Sequence, residues 1–163
     1  MTTNQKTKIK TLKLKFMKEL FFAALITVTV ATSAFAKDVN KISSRATHNF
    51  SFDFRGAEKV SWIAKSNFYK ASFILDGQKM EAFYNLNGDM IGTSQNITLD
   101  QLPTSAKRTF AKRYNGYTVK EAIRFEGVDE SAYYISAENE KENVILKVAD
   151  DANVSVFQKD RKN

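Results

Sequence analysis

The chain has 163 residues, with 25 Lys and Arg against 18 Asp and Glu for a net charge of +7, one His and no Cys. The missing cysteines exclude thiolate catalysis, zinc–thiolate sites and disulfides, and one His supplies neither a Ser-His-Asp triad nor a paired-His metal site.

The first 36 residues read as a secretory signal. Lys6, Lys8, Lys10, Lys13, Lys15 and Lys18 form a basic region, Leu20 to Val30 an apolar core of eleven residues, and Ala34-Phe35-Ala36 a cleavage site. The apolar run is short for a bilayer, so no membrane span is expected after cleavage, and a periplasmic or secreted location follows. Met17, directly before that core, is expected to be the true start. Six of the basic residues and one acidic residue fall in this segment, leaving 19 against 17, or +2, in residues 37–163. The basic balance therefore belongs to the export signal, and nucleic acid is not an expected partner.

Residues 37–163 read as one domain of two repeats, about 41–98 and 99–160. Phe50-x3-Phe54-x-Gly56 recurs sixty residues later as Phe110-x3-Tyr114-x-Gly116. Ile42, Ala46, Phe50 and Phe54 form an apolar stripe at helical spacing, and Leu102, Ala106, Phe110 and Tyr114 form another. Ser43 or Ser44 suits the first N-cap and Pro103 the first turn of the second helix. Gly56 and Gly116 stand where a left-handed residue ends a helix, and Lys112 and Arg113 favour the second helix's negative end.

Strands follow each helix. Tyr69, Ala71, Phe73 and Leu75 alternate with Lys70, Ser72 and Ile74, and Met80, Ala82, Tyr84 and Leu86 with Lys79, Glu81, Phe83 and Asn85. Asp76-Gly77 and Asn87-Gly88 are hairpin signals. Val119, Ile123 and Phe125 share one parity; Tyr133-Tyr134-Ile135 is apolar on both faces; Val144, Leu146 and Val148 share another run. The expected fold is α+β: two tandem helix-plus-antiparallel-strands repeats sharing one curved sheet, with both helices on one face.

Val60-Ser61-Trp62, Tyr69-x-Ala71-x-Phe73, Glu81-Ala82, Asn87-Gly88, Leu102-Pro103 and Tyr114-x-Gly116-Tyr117 together resemble the exported bacterial PepSY-like family, also described as beta-lactamase-inhibitor-protein-like. The resemblance covers nearly all of residues 37–163. It implies the same tandem-repeat fold, with an open concave face like the one that grips an enzyme in the true inhibitors. Those inhibitors are disulfide-bonded and this chain has no Cys, so no contact residue is carried over.

Other motifs have plain readings. His48 falls mid-helix and partly toward solvent. Asn85 to Asp89 has its glycine, Gly88, out of place for a calcium loop, whose sixth position is Met90, and no Glu twelve positions along, and Asp150 to Asn153 is the matching turn. Glu138, Glu140 and Glu142 mark a solvated hairpin tip. No metal or cofactor is expected, nor any catalytic residue.

Strand parity points to the candidate site. The face away from the helices is expected to carry Lys70, Ser72, Ile74, Lys79, Glu81, Phe83, Lys120, Arg124, Tyr133, Ile135, Ile145 and Lys147. Of these, Ile74, Phe83, Tyr133, Ile135, Ile145, Lys70, Lys120 and Arg124 are the candidate partner-binding residues, because aromatic anchors amid charge suit an interface. The function expected is a non-catalytic binding module holding an envelope protein or peptide, with Trp62 in the core and oligomeric state open. The alternative is a small-ligand carrier or envelope sensor, with a cavity lined by Phe50, Phe54, Phe73 and Phe110.

Overall fold

The first apolar stripe forms a helix, α1 (Ser44–Asp53), in a computed structural model that describes residues 42–162. The expected signal, its cleavage site and Met17 lie outside the described residues. Ala46 and Phe50 are buried, Ser43 stands at the N-cap without a side-chain bond, and Gly56 follows at φ 86°. Four strands succeed it: β1 (Glu58–Ala64), β2 (Phe68–Leu75), β3 (Gln78–Asn85) and β4 (Met90–Asn96). A single 3-10 turn (Leu99–Gln101) leads to α2 (Thr104–Arg113). Pro103 sits one residue earlier than expected, at the N-cap, where its missing N–H is equally harmless. Then come β5 (Thr118–Gly127), β6 (Ser131–Glu138), β7 (Glu142–Ala149) and β8 (Val154–Arg161).

All eight strands form one sheet in sequence order, each antiparallel to the next. This corrects the α+β expectation of two tandem helix-plus-strands repeats with both helices on one face. Strand makes up 53% of the structure against two ten-residue helices, so the architecture is mostly β. The physical reason lies at the middle of the sheet. β4 and β5 pair through five register partners, from Gly92↔Gly127 to Asn96↔Ile123, so the ladder runs on through the boundary that the sequence repeat suggests.

Each helix serves its own group of strands. α1 packs Ala46 and Phe50 on Ala71, Phe73, Ala82 and Tyr84, with Trp62 edge-on to Phe50 at 5.4 Å as the core residue expected. α2 packs Leu102, Ala106 and Phe110 with Ala122, Ile135, Ala137, Val144, Leu146 and Val148. Phe50, Phe54 and Phe73 fill the first cluster with rings 4.7 to 5.2 Å apart. Phe110 belongs to the second cluster and stacks on Tyr114 at 5.7 Å. The four phenylalanines therefore do not line one cavity.

Candidate functional site

Antiparallel register places side chains of one parity in rows across the sheet. One row runs Lys70↔Phe83↔Gly92↔Gly127. The next runs Ser72↔Glu81↔Ser94↔Phe125↔Ala132. A third runs Asn96↔Ile123↔Tyr134↔Lys147, and a fourth Glu121↔Ser136↔Ile145. Phe83, Ile123, Phe125 and Tyr134 on these rows, and Phe68 of the same parity, belong to neither helix-packed cluster, yet none is more than 4% exposed. The side chains at the centre of these rows are therefore buried.

Aromatic contacts run along this side of the sheet. Phe68 and Phe83 lie 6.1 Å apart, Phe83 and Phe125 6.2 Å, and Tyr134 meets Phe157 edge-on at 5.3 Å. Two glycines make room for the middle ring. A Cβ at Gly92 or Gly127 would come within 2.8 or 2.6 Å of the Phe125 ring.

Charge sits among these rings. Lys70 is buried and its ammonium lies 2.5 Å from Glu81. Ser72 and Ser94 also donate to Glu81, at 3.3 and 3.4 Å. Burial pushes the Glu81 carboxyl above the usual carboxylate range, against the pull of Lys70 and the two hydroxyls. Glu121 is raised too, first by burial and then by the Glu81 charge, while the Asn96 amide holds it down. Asn96 donates to Glu121 Oε1 at 2.8 Å, whereas Oε2 is buried and accepts no hydrogen bond. At the edge of this region Lys147 pairs with Glu130 at 2.7 Å, and the Tyr134 hydroxyl donates to the same carboxylate at 3.1 Å.

Of the candidates read from strand parity, Lys70, Ile74, Phe83 and Ile145 stand on these rows or share their parity. Three others do not. Ile135 is fully buried in the α2 cluster, Tyr133 packs against that cluster, and Arg124 stacks over the Tyr133 ring at 4.6 Å while pairing with Asp150 at 2.9 Å. A β-bulge between Val119 and Glu121 is the cause. It adds a residue to β5, so Val119 keeps the α2 side while Ile123 and Phe125 cross to the other. Lys120 sits at the bulge, 2.8 Å from Glu138.

Sequence reading also missed Phe68, Ser94, Glu121, Ile123, Phe125 and Tyr134. Phe68 was findable, since it shares the parity of Lys70 and Ser72. The β5 residues were not, because bulges carry no sequence signature here. His48 is exposed on α1. No group of residues able to hold a metal ion occurs among the described residues.

No family model matches the chain, and no curated protein matches it. Solved structures do. A BLIP-like protein from Bacteroides fragilis matches with a TM-score of 0.62 at 18% identity, over 74% of this chain and 86% of that one. A DUF2874 family protein from Bacteroides ovatus matches at 0.65 and 16%, over 75% and 89%. A protein from Bacteroides eggerthii, whose periplasmic location is itself an inference, matches at 0.66 and 12%, over 74% and 89%. At such identities the likeness concerns fold, and the sheet with its two helices is the fold of the BLIP-like proteins.

Proposed function

We propose that this protein is a non-catalytic binding module that holds a protein or peptide partner on the sheet face that carries Ile74, Ser136 and Ile145. It is an exported protein, periplasmic or secreted. The observation that carries the reading is that Ile74, Ser136 and Ile145 are half-buried on this parity of the sheet, outside both helix clusters. Partly exposed isoleucines beside ion pairs such as Lys147–Glu130 have the mixed character of an interface. The BLIP-like fold supports capture of a partner without naming it, and the sequence motifs resemble those of PepSY-like exported proteins.

Photo-cross-linking in intact cells tests this. A cross-linking residue at Ile74, Ser136 or Ile145 is expected to trap one discrete envelope species. The same residue at Phe52 or Val128, exposed elsewhere, is expected to trap none. Equal trapping from both sets, or none from the first, sinks the reading.

A further inference from the structure

We infer that the free edge of β1 is a pairing site for a second copy of this chain, joined to it antiparallel about Ile63. This stands apart from the partner face and holds or falls without it.

β1 ends the strand order, with no strand beyond it among the described residues. Lys65 N–H donates to Phe68 O at 2.8 Å, which closes the β1–β2 hairpin. Antiparallel bonding alternates from there. Ile63 and Ser61 bond across to Lys70 and Ser72, while N–H and C=O of Trp62 and Ala64 point away from β2. This edge is open to water: Glu58 to Ser61 are exposed, and Ile63 is 45% exposed. Both edges of the sheet carry a bulge, but they differ in charge. β8 ends in exposed Lys159, Asp160 and Arg161, the usual protection of an edge. The β1 bulge lies between Glu58 and Ser61, which leaves Ser61-Trp62-Ile63-Ala64 regular and uncharged.

The sequence of that edge complements itself. With Ile63 opposite Ile63 of the second copy, Trp62 of each copy exchanges backbone hydrogen bonds with Ala64 of the other. A large side chain then lies beside a small one on the α1 side of the sheet. On the opposite side the two exposed isoleucines cover one another. Exposed Lys65 of each copy stands there opposite Ser61 and diagonal to exposed Glu58 of the other, opposite charges on side chains long enough to meet. Centred one residue earlier, the pair would set Trp62 against Trp62 and Ala64 against the bulge.

The chain has no cysteine, so single-Cys variants read this register directly. Ile63→Cys in the exported protein is expected to give a disulfide-linked dimer under a mild oxidant, because facing residues of such a pair lie about 4.5 Å apart at Cα. Ser61→Cys, about 14 Å from its twin in this register, and Val156→Cys, exposed on β8, are expected to stay monomeric. Sedimentation of the wild type is expected to show monomer exchanging with dimer as concentration rises, since a seven-residue edge is a small interface. Ile63→Lys, which sets two ammonium groups face to face, is expected to abolish the dimer and keep the wild-type circular dichroism spectrum. Monomer at every concentration, or equal cross-linking from Ser61→Cys or Val156→Cys, overturns the pairing. So does a cross-link from Ile63→Cys to another envelope protein in intact cells while the purified protein stays monomeric, which gives the edge to a foreign strand. None of these outcomes touches the cross-links from Ile74, Ser136 and Ile145 that decide the partner face.

Discussion

Ala152 holds in the β7–β8 turn the position that Gly88 holds in the β3–β4 turn. Gly88 N–H donates to Asn85 O and Asn85 N–H to Asp89 O, each at 2.9 Å; Ala152 N–H donates to Ala149 O at 2.8 Å and Ala149 N–H to Asn153 O at 3.1 Å. Both central residues are left-handed, at φ 87° and 63°. Only one of them is a glycine. Ala152→Gly is therefore expected to stabilise the protein by about 1 kcal/mol, the usual cost of a Cβ in that conformation. The reverse change at Gly88 is expected to cost about 3 kcal/mol, since a Cβ there would also come 2.7 Å from Ala46 N, where α1 crosses the turn. Thermal or urea unfolding of the two variants measures both.

The faces assigned to Ile135 and Ile145 make opposite demands on stability. Ile135 is fully buried under α2 and Ile145 half-buried on the other side. Ile135→Ala is expected to cost about 3 to 4 kcal/mol and Ile145→Ala about 1 kcal/mol. Urea midpoints in the reverse order would show that the bulge in β5 does not set the parity described.

Lys70 stabilises a carboxylate that water has largely left. Lys70→Met is expected to cost about 2 kcal/mol at neutral pH, less than a fully buried pair because Ser72 and Ser94 still donate to Glu81. The loss is expected to shrink in acid, where Glu81 takes up a proton and needs no cation. A loss that stays constant from pH 4 to pH 8 would mean Lys70 acts by packing alone.

Glu121 works against the fold at neutral pH. Its folded carboxyl titrates above the ordinary value of 4.5, so the folded state holds the proton more tightly than the unfolded chain. Stability from this group is present below that value and falls as pH rises through the folded titration. Glu121→Gln is thus expected to melt with the wild type near pH 4 and above it at pH 7. Melting curves at several pH values read the divergence.

Glu138 behaves in the opposite sense. Hydrogen bonds from Lys120 and Lys162 pull its carboxyl down to about 2. Its contribution is present above 4.5 and fades as pH falls toward 2. Glu138→Gln is expected to lower the melting point slightly at pH 7, less in high salt, and not at all near pH 2. The same melting series, repeated with added salt, checks it.

Local pattern alone determined much of this molecule. Spacing of four fixed both helices, because an α-helix aligns such residues on one stripe, and Asp76-Gly77 marked a turn whose two residues are both left-handed. Alternation fixed the faces of β2 and β3, which pair without interruption over eight residues. The similarity between the two halves of the sequence did not make two helix-plus-strands units, since all eight strands pair in order into one ladder, and the hydrogen bonds between β4 and β5 depend on neighbours and not on composition. Tertiary structure alone decided the faces of β5 and β6. A bulge shifts every following side chain by one, so Ile123 and Phe125 left the helix side, and Tyr133-Tyr134-Ile135, apolar throughout, took its register from the strand beside it. Only the assembled sheet could bring Glu121 within reach of Asn96 and leave one of its oxygens without a donor, because that depends on side chains from separate strands meeting.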